Sequence, residues 1–272
     1  LANGDVDRAR ALLEHAIALA DRLPARGVPL AELAAGVAGD SHALDVGEPL
    51  GTIALRLARR IGAPRGLTED DDARPRDIWA SVGVLCDELS APALVLNLVA
   101  ATTTATGRAL AIHAEAGEPC RLSVRQLLRD PPQFQYSRRP VIYVCENPSV
   151  VSSAADRLGA RSEPLVCVEG QPRTAARLLL THLASSGARL AYHGDFDWGG
   201  VRIGNVVIGQ YGAAPWRFTA ADYGATIGGR PLEGNPVDAS WDAALAGAML
   251  AAARAVHEEQ VMNDLLSDLS AI

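Results

Sequence analysis

Three carboxylates carry the chemistry that can be read from this 272-residue chain. Glu146 directly follows the apolar run Val141-Ile-Tyr-Val-Cys145, and Asp195 and Asp197 lie in Gly194-Asp-Phe-Asp-Trp-Gly-Gly200 after a second such run. Residues two apart in extended backbone point the same way, so Asp195 and Asp197 are expected side by side. Carboxylates packed this closely repel and raise one another's pKa unless a cation neutralises them. Hard oxygen donors suit Mg²⁺, which keeps several waters and takes one or two protein carboxylates plus substrate phosphate. The competing reading is ordinary: Asp and Gly after a strand also serve turns and helix caps. A glutamate after one strand with an Asp-x-Asp two βα units later favours the chemical reading.

The elements that position these residues follow from pattern. From Pro140 onward, apolar runs of strand length at Val141–Cys145, Leu165–Val168, Arg189–His193 and Trp216–Phe218 alternate with helical segments near 147–158, 172–186 and 201–210. Such alternation predicts βαβ units and a parallel sheet with both faces covered. Asn147 is placed to cap a helix with Pro148 at its first position. In open parallel sheets, sites form at the carboxyl ends of the strands, where all three acids fall. One long helix is predicted from about Ser240 to Leu269.

The first half reads as mainly helical. Helices are predicted over Asp5–Leu23, Leu30–Val37 and Leu50–Ile61, with Ala93–Leu98 as a strand and Thr68–Asp72 as an acidic loop. Ser123 and Gln126 have the spacing of a capping box that opens a short helix. Pro131-Pro132 and the segment up to Pro140 mark the expected boundary, giving a helical DNA- or partner-binding region over 1–139, of winged-helix-like type, and an α/β domain over 140–272.

Further residues extend the candidate site. Glu258 shares a helical face with Val261, Met262, Leu265 and Leu269, so it is expected to point inward as a fourth acid or metal ligand; Glu259, about 100° round the same helix, reads as solvated. The bland reading for Glu258 is the rim of the stripe, or a salt bridge to a buried arginine. His193 adjoins the aspartates and could touch a phosphate, but a satisfied strand histidine is the better reading. Trp198 could stack on a base or roof the sheet. Arg125 and Arg129 lie at i, i+4 and Arg138 and Arg139 follow, a set suited to DNA phosphates or to a solvated face.

Composition sets the exclusions. All 25 basic side chains are arginine, so a P-loop lysine, a Schiff base and a Ser–Lys dyad are impossible. The four cysteines form no CxxC pair, which removes a zinc or thioredoxin-type reading; Cys145 and Cys167 lie in apolar runs as core residues, and a reducing, cytoplasmic location is expected. The formal net charge of −7 argues against a stand-alone basic nucleic-acid binder but not against an enzyme that reaches nucleic acid through a metal and local arginines. No apolar run approaches membrane-span length and no charged-then-apolar leader opens the chain. Leu1 in place of Met suggests that a segment precedes residue 1.

A glutamate after one strand and an Asp-x-Asp-x-Gly after a later parallel strand resemble the TOPRIM domain of topoisomerases, primases and nucleases. Val144-Cys-Glu-Asn-Pro-Ser149 and His193-Gly-Asp-Phe-Asp-Trp-Gly-Gly200 resemble, more narrowly, the nuclease subunit of Wadjet-type plasmid-defence systems, as do Gly117-Glu-Pro119 and Leu122-Ser-Val-Arg-Gln-Leu127. The likeness covers about residues 140–222, with shorter stretches over 1–139. It implies a TOPRIM-like sheet, Glu146 as general acid/base or metal residue, Asp195 and Asp197 as the Mg²⁺ (or Mn²⁺) pair, double-stranded DNA as substrate and an SMC/condensin-like complex as partner, with a homodimer left open. The family is related to the topoisomerase VI A subunit, in which a tyrosine attacks DNA. Tyr136 is the only tyrosine before Val141 and its Pro-rich context does not resemble that element, so hydrolysis by water is expected.

The leading expectation is therefore a metal-dependent DNA endonuclease. A DxD glycosyltransferase would leave Glu146 idle. A haloacid-dehalogenase-type phosphatase would place its DxD after the first strand and use a lysine. The non-enzymatic rival is a TOPRIM-like scaffold that binds DNA or an SMC partner without cutting.

Overall fold

A computed structural model describes residues 4–62, 74–86, 92–136, 138–225 and 228–270. The chain divides into two units, one of residues 1–91 and 123–129, the other of 92–122 and 130–272. The acidic stretch Thr68–Asp72 lies outside the described residues.

The first unit contains α1 (Val6–Ala20), β1 (Val28–Pro29), α2 (Leu30–Ala38), α3 (Pro49–Gly62), α4 (Pro75–Ser81) and β2 (Val84–Leu85). Leu19, Leu33, Leu50, Ala54, Ala58 and Trp79 fill its core, drawn from one face of each helix. Asp5 caps α1 by accepting from the N–H groups of Asp7 and Arg8. The strands found here, β1 and β2, pair in parallel, whereas a wing is an antiparallel hairpin.

The second unit begins with β3 (Ala93–Leu96), α5 (Ala105–Ala116) and β4 (Cys120–Leu122); the chain then returns to the first unit for α6 (Val124–Arg129), which opens with the expected Ser123–Gln126 capping box. There follow β5 (Val141–Cys145), α7 (Pro148–Leu158), β6 (Leu165–Cys167), α8 (Thr174–Ser185), β7 (Arg189–Tyr192), α9 (Trp198–Tyr211), β8 (Ala214–Pro215), α10 (Ala220–Gly224), β9 (Arg230–Pro231), α11 (Leu245–Ala252), β10 (Arg254–Ala255) and α12 (Met262–Leu269). One six-stranded sheet runs β4-β3-β6-β5-β7-β8. β5 to β8 are parallel, but β3 is antiparallel to both β4 and β6, so the sheet is mixed and flanked by helices.

Three expectations change. The division does not fall at 139/140: β3, α5 and β4 belong with the α/β unit, because the fully apolar, fully buried Ala93–Leu96 pairs with β6 in the main sheet and packs against α7 and α8. The single C-terminal helix is instead α11, a strand, a 3-10 turn at Glu258–Gln260 and α12. No Gly or Pro punctuates 248–269; the break comes from Ala253 in left-handed backbone (φ 53°) and from pairing of β10 with β9. The fourth parallel strand lies at Ala214–Pro215 rather than Trp216–Phe218, and Trp216 N–H only closes onto Tyr192 O at 2.8 Å. Cys145 and Cys167 are register neighbours, buried and free. No helix among the described residues is long and apolar enough to cross a membrane.

Candidate metal centre

β5 stands between β6 and β7. The chain leaves β5 for β6 on one side and leaves β7 for β8 on the other, so the loops after β5 and β7 part and open a crevice, the switch point at which open α/β sheets place ligands. Glu146 follows β5, and Asp195 and Asp197 follow β7, whose residues pair with those of β5. The three predicted acids therefore meet at one edge: Glu146 Oε2 accepts the backbone N–H of Asp195 at 3.3 Å.

Asp195 is 8% exposed and densely bonded. Its Oδ1 accepts from Asn147 Nδ2 at 3.0 Å and from the backbone N–H of Glu258 at 2.8 Å, and its Oδ2 lies 3.0 Å from His257 Nδ1. Asn147 occupies the cap position of α7 as expected, but its side chain makes no cap bond and goes to Asp195 instead. Asp197 caps α9, accepting from Gly200 N–H at 2.7 Å. Gly200 has no alternative, because a Cβ there would strike the carbonyl of Asp195.

One member of the site was not foreseen. Ligand atoms of Asp195, Asp197 and His257 all lie within 4.8 Å of one another, a group able to hold a metal ion. His257 arrives there because Phe196, between the two aspartates, exchanges two backbone hydrogen bonds with Val256 (2.8 and 3.2 Å). The sequence held a weak signal, a lone histidine beside two glutamates, but the long helix expected there would have turned it elsewhere.

Glu258 does reach the edge, though not as a ligand. It is fully buried in the 3-10 turn, and its two carboxylate oxygens accept the backbone N–H groups of Glu146 (3.1 Å) and Asn147 (2.6 Å). It is not among the ligand atoms that cluster within 4.8 Å, and both its oxygens are taken by main-chain amides, so its expected metal role gives way to a positioning one. Glu259 accepts from Ser149 Oγ at 2.7 Å at the exposed mouth. His193 is buried just past β7, with Nδ1 2.9 Å from the carbonyl of Trp216 but Nε2 without a hydrogen-bond partner among the described residues, so the satisfied-histidine reading holds for one ring nitrogen only. Trp198 is the buried first residue of α9 and cannot offer its ring to a base.

The electrostatics follow from burial. Burial first, and Asp195 second, push the Glu146 carboxyl up to about 7. Burial pushes Glu258 well above the carboxylate range, against the two backbone N–H groups it accepts. The hydrogen bond to Asp195 raises His257. Burial pushes the Tyr136 hydroxyl up to about 12.

The expected DNA-binding arginines fall into both units. Arg125 and Arg129 are exposed on α6 of the first, where the aliphatic stem of Arg129 covers the backbone at Gly27. Arg138 and Arg139 are exposed ahead of β5 in the second.

Two families match this chain. Residues 120–269 match the family described as "Protein of unknown function C-terminus (DUF2399)". The chain belongs to the DUF2399 family. Residues 1–100 match "Protein of unknown function N-terminus (DUF3323)". Every residue of the metal centre lies inside the DUF2399 match, and both matches are consistent with a Wadjet-associated family. No curated protein matches the chain.

Proposed function

We propose that this DUF2399 member is a metal-dependent DNA endonuclease with a TOPRIM-like centre, acting in an SMC-associated anti-plasmid defence system. The observation that supports it is the convergence of Asp195, Asp197 and His257 within 4.8 Å at the switch point, with Glu146 alongside. The donor set fits a divalent cation. Two carboxylates suit Mg²⁺, and the imidazole tilts the preference toward Mn²⁺, which accepts nitrogen more readily. Asp195, Asp197 and His257 would hold the ion. When bound, it would supply Lewis-acid polarisation of a phosphodiester and a lowered pKa for water. Glu146 is the group placed beside them to take the proton of the attacking water. Asn147 and Glu258 orient Asp195, and Asp197 fixes the start of α9. The SMC/condensin-like partner and the plasmid substrate rest on the resemblance of the motifs. Arg125, Arg129, Arg138 and Arg139 are proposed to grip the duplex.

Incubation of the full-length protein, alone and with its SMC partners, with circular plasmid and Mg²⁺ or Mn²⁺ tests the reading. Nicking or linearisation that EDTA stops and Asp195→Asn/Asp197→Asn abolishes is the expected result. Unchanged cleavage by the double variant would remove the proposed centre.

One observation favours the scaffold alternative. The oxygens of Asp195 already meet three donors within the protein, as those of a structural aspartate would. DNA or SMC binding with no cleavage in any divalent cation would select it.

A further inference from the structure

β9 and β10 form a short antiparallel ribbon in which Ala255 pairs with Arg230 and Arg254 with Pro231. The ribbon is held on both strands at the end that meets the centre. Val256 pairs with Phe196 of the aspartate loop, and His257 follows at once. On the other strand, Gly229 has φ 116° and sits so close to the carbonyl of Ala255 that a Cβ would collide with it, so the glycine sets the entry to Arg230. The result is an opening of about 590 Å³ lined by Asn147, Asp195, His257 and Glu259 and, from the ribbon, by Gly229 and Arg230.

Arg230 is exposed, and among the described residues no carboxylate lies within ion-pair distance of it. An arginine that lines the opening of an acidic centre, yet pairs with none of its acids, is suited to an anion that reaches both. Guanidinium is also the side chain whose fork matches two phosphate oxygens at once.

We infer that Arg230 is a substrate-binding residue of the centre, gripping a phosphate of the polynucleotide backbone opposite Asp195 and His257. The inference rests on the proposed function and adds to it a phosphate seat on the β9–β10 ribbon, separate from the arginines before β5. A continuous backbone, rather than a lone phosphate, fits an opening this large and this open to solvent. The ribbon then has one task on each strand: His257, just past β10, toward the cation, and Arg230 of β9 toward the substrate.

The test is binding of a fluorescein-labelled DNA duplex to the full chain by anisotropy across a salt series, with Ca²⁺ in place of Mg²⁺ to hold the duplex intact. Mn²⁺ binding is measured separately by calorimetry. Arg230→Ala should weaken duplex binding about tenfold and make the log–log salt slope shallower by about 0.9, the loss of one phosphate contact. Arg230→Lys should recover part of the affinity. Mn²⁺ binding should be unchanged in both variants, since Arg230 is exposed and outside the ligand group. Inorganic phosphate that competes at the same concentration as duplex nucleotide would overturn the backbone assignment. Wild-type protein that binds Mn²⁺ and duplex, with Arg230→Ala matching it in affinity and slope, would overturn this inference alone. Wild-type protein that binds neither would overturn the proposed function and this inference with it.

Discussion

The carboxylate of Glu258 accepts the backbone N–H of Glu146 at 3.1 Å, across 112 residues of chain. With its second oxygen on Asn147 N–H and its own N–H on Asp195, this one buried residue ties the loop after β5 to the loop after β7. Glu258→Ala leaves two part-buried amide donors without their acceptors, at an expected cost of about 1–3 kcal/mol. Glu258→Gln keeps one carbonyl acceptor and should lose less. Urea unfolding midpoints check both, and an unchanged midpoint for Glu258→Ala would show that the clasp contributes nothing.

The choice of substitution at the aspartates matters. Asp195→Ala would strand Asn147 Nδ2, Glu258 N–H and His257 Nδ1, so loss of activity in that variant would be mixed with loss of fold. Asp195→Asn keeps the shape and removes the charge. Asp197→Ala loses the α9 cap, about 1 kcal/mol, whereas Asp197→Asn retains it. The expected outcome is a near-native melting temperature for both Asn variants by circular dichroism, together with no Mn²⁺ binding by calorimetry.

Cation binding to the folded state alone should raise thermal stability. At a hundredfold excess over Kd the gain is about 2.7 kcal/mol, read as an upward Tm shift in MnCl₂ that EDTA reverses. His257→Ala should reduce the Mn²⁺ shift more than the Mg²⁺ shift, because imidazole contributes more to the softer ion. Equal shifts in wild type and His257→Ala would remove His257 from the ligand set.

Acid should release a pair behind the sheet. Arg217 Nη2 donates to Asp268 Oδ1 at 2.7 Å, and Trp216 Nε1 donates to Oδ2 at 2.8 Å. The hydrogen bond from Arg217 holds the Asp268 carboxyl below its ordinary value. A depressed folded-state pKa stabilises above the unfolded value, near 3.9, and that stability is lost as pH falls through the folded value. Asp268→Asn should therefore be less stable than wild type at pH 7, by about 1 kcal/mol for a pair this exposed. The two should converge in strong acid. A constant gap at all pH values in urea melts would show that Asp268 acts through shape alone.

Much of the centre was legible because it lies on strand ends. Apolar runs at Val141–Cys145 and Arg189–Tyr192 announce buried parallel strands, and whatever follows them must sit at one edge. Glu146, Asp195 and Asp197 could be placed on that rule alone. His257 could not, since it reaches the centre through backbone pairing of Val256 with Phe196, which no periodicity reports. Glu258 was correctly seen to point inward, but its partners are main-chain amides and so leave no mark in side-chain spacing. β3 illustrates the same limit: its apolar run is visible as a strand and the Pro131-Pro132 pair does lie beside a change of unit, but that this change is a return, with β3 already placed antiparallel beside β6, leaves no mark in punctuation.

The clasp made by Glu258 also sets an order of events. Until residue 258 has been synthesised and has docked, the amides of Glu146 and Asn147 lack their acceptor, and Asp195 lacks two of its three partners, Glu258 N–H and His257. Contacts so distant along the chain form late in folding, after local helices and hairpins. A nascent or C-terminally cleaved chain can thus carry all three strand-end acids and still have no assembled centre. Whatever chemistry this edge performs begins only once residues 257 and 258 are in place, and proteolytic removal of the 3-10 turn and α12 would silence it without touching a single ligand carboxylate.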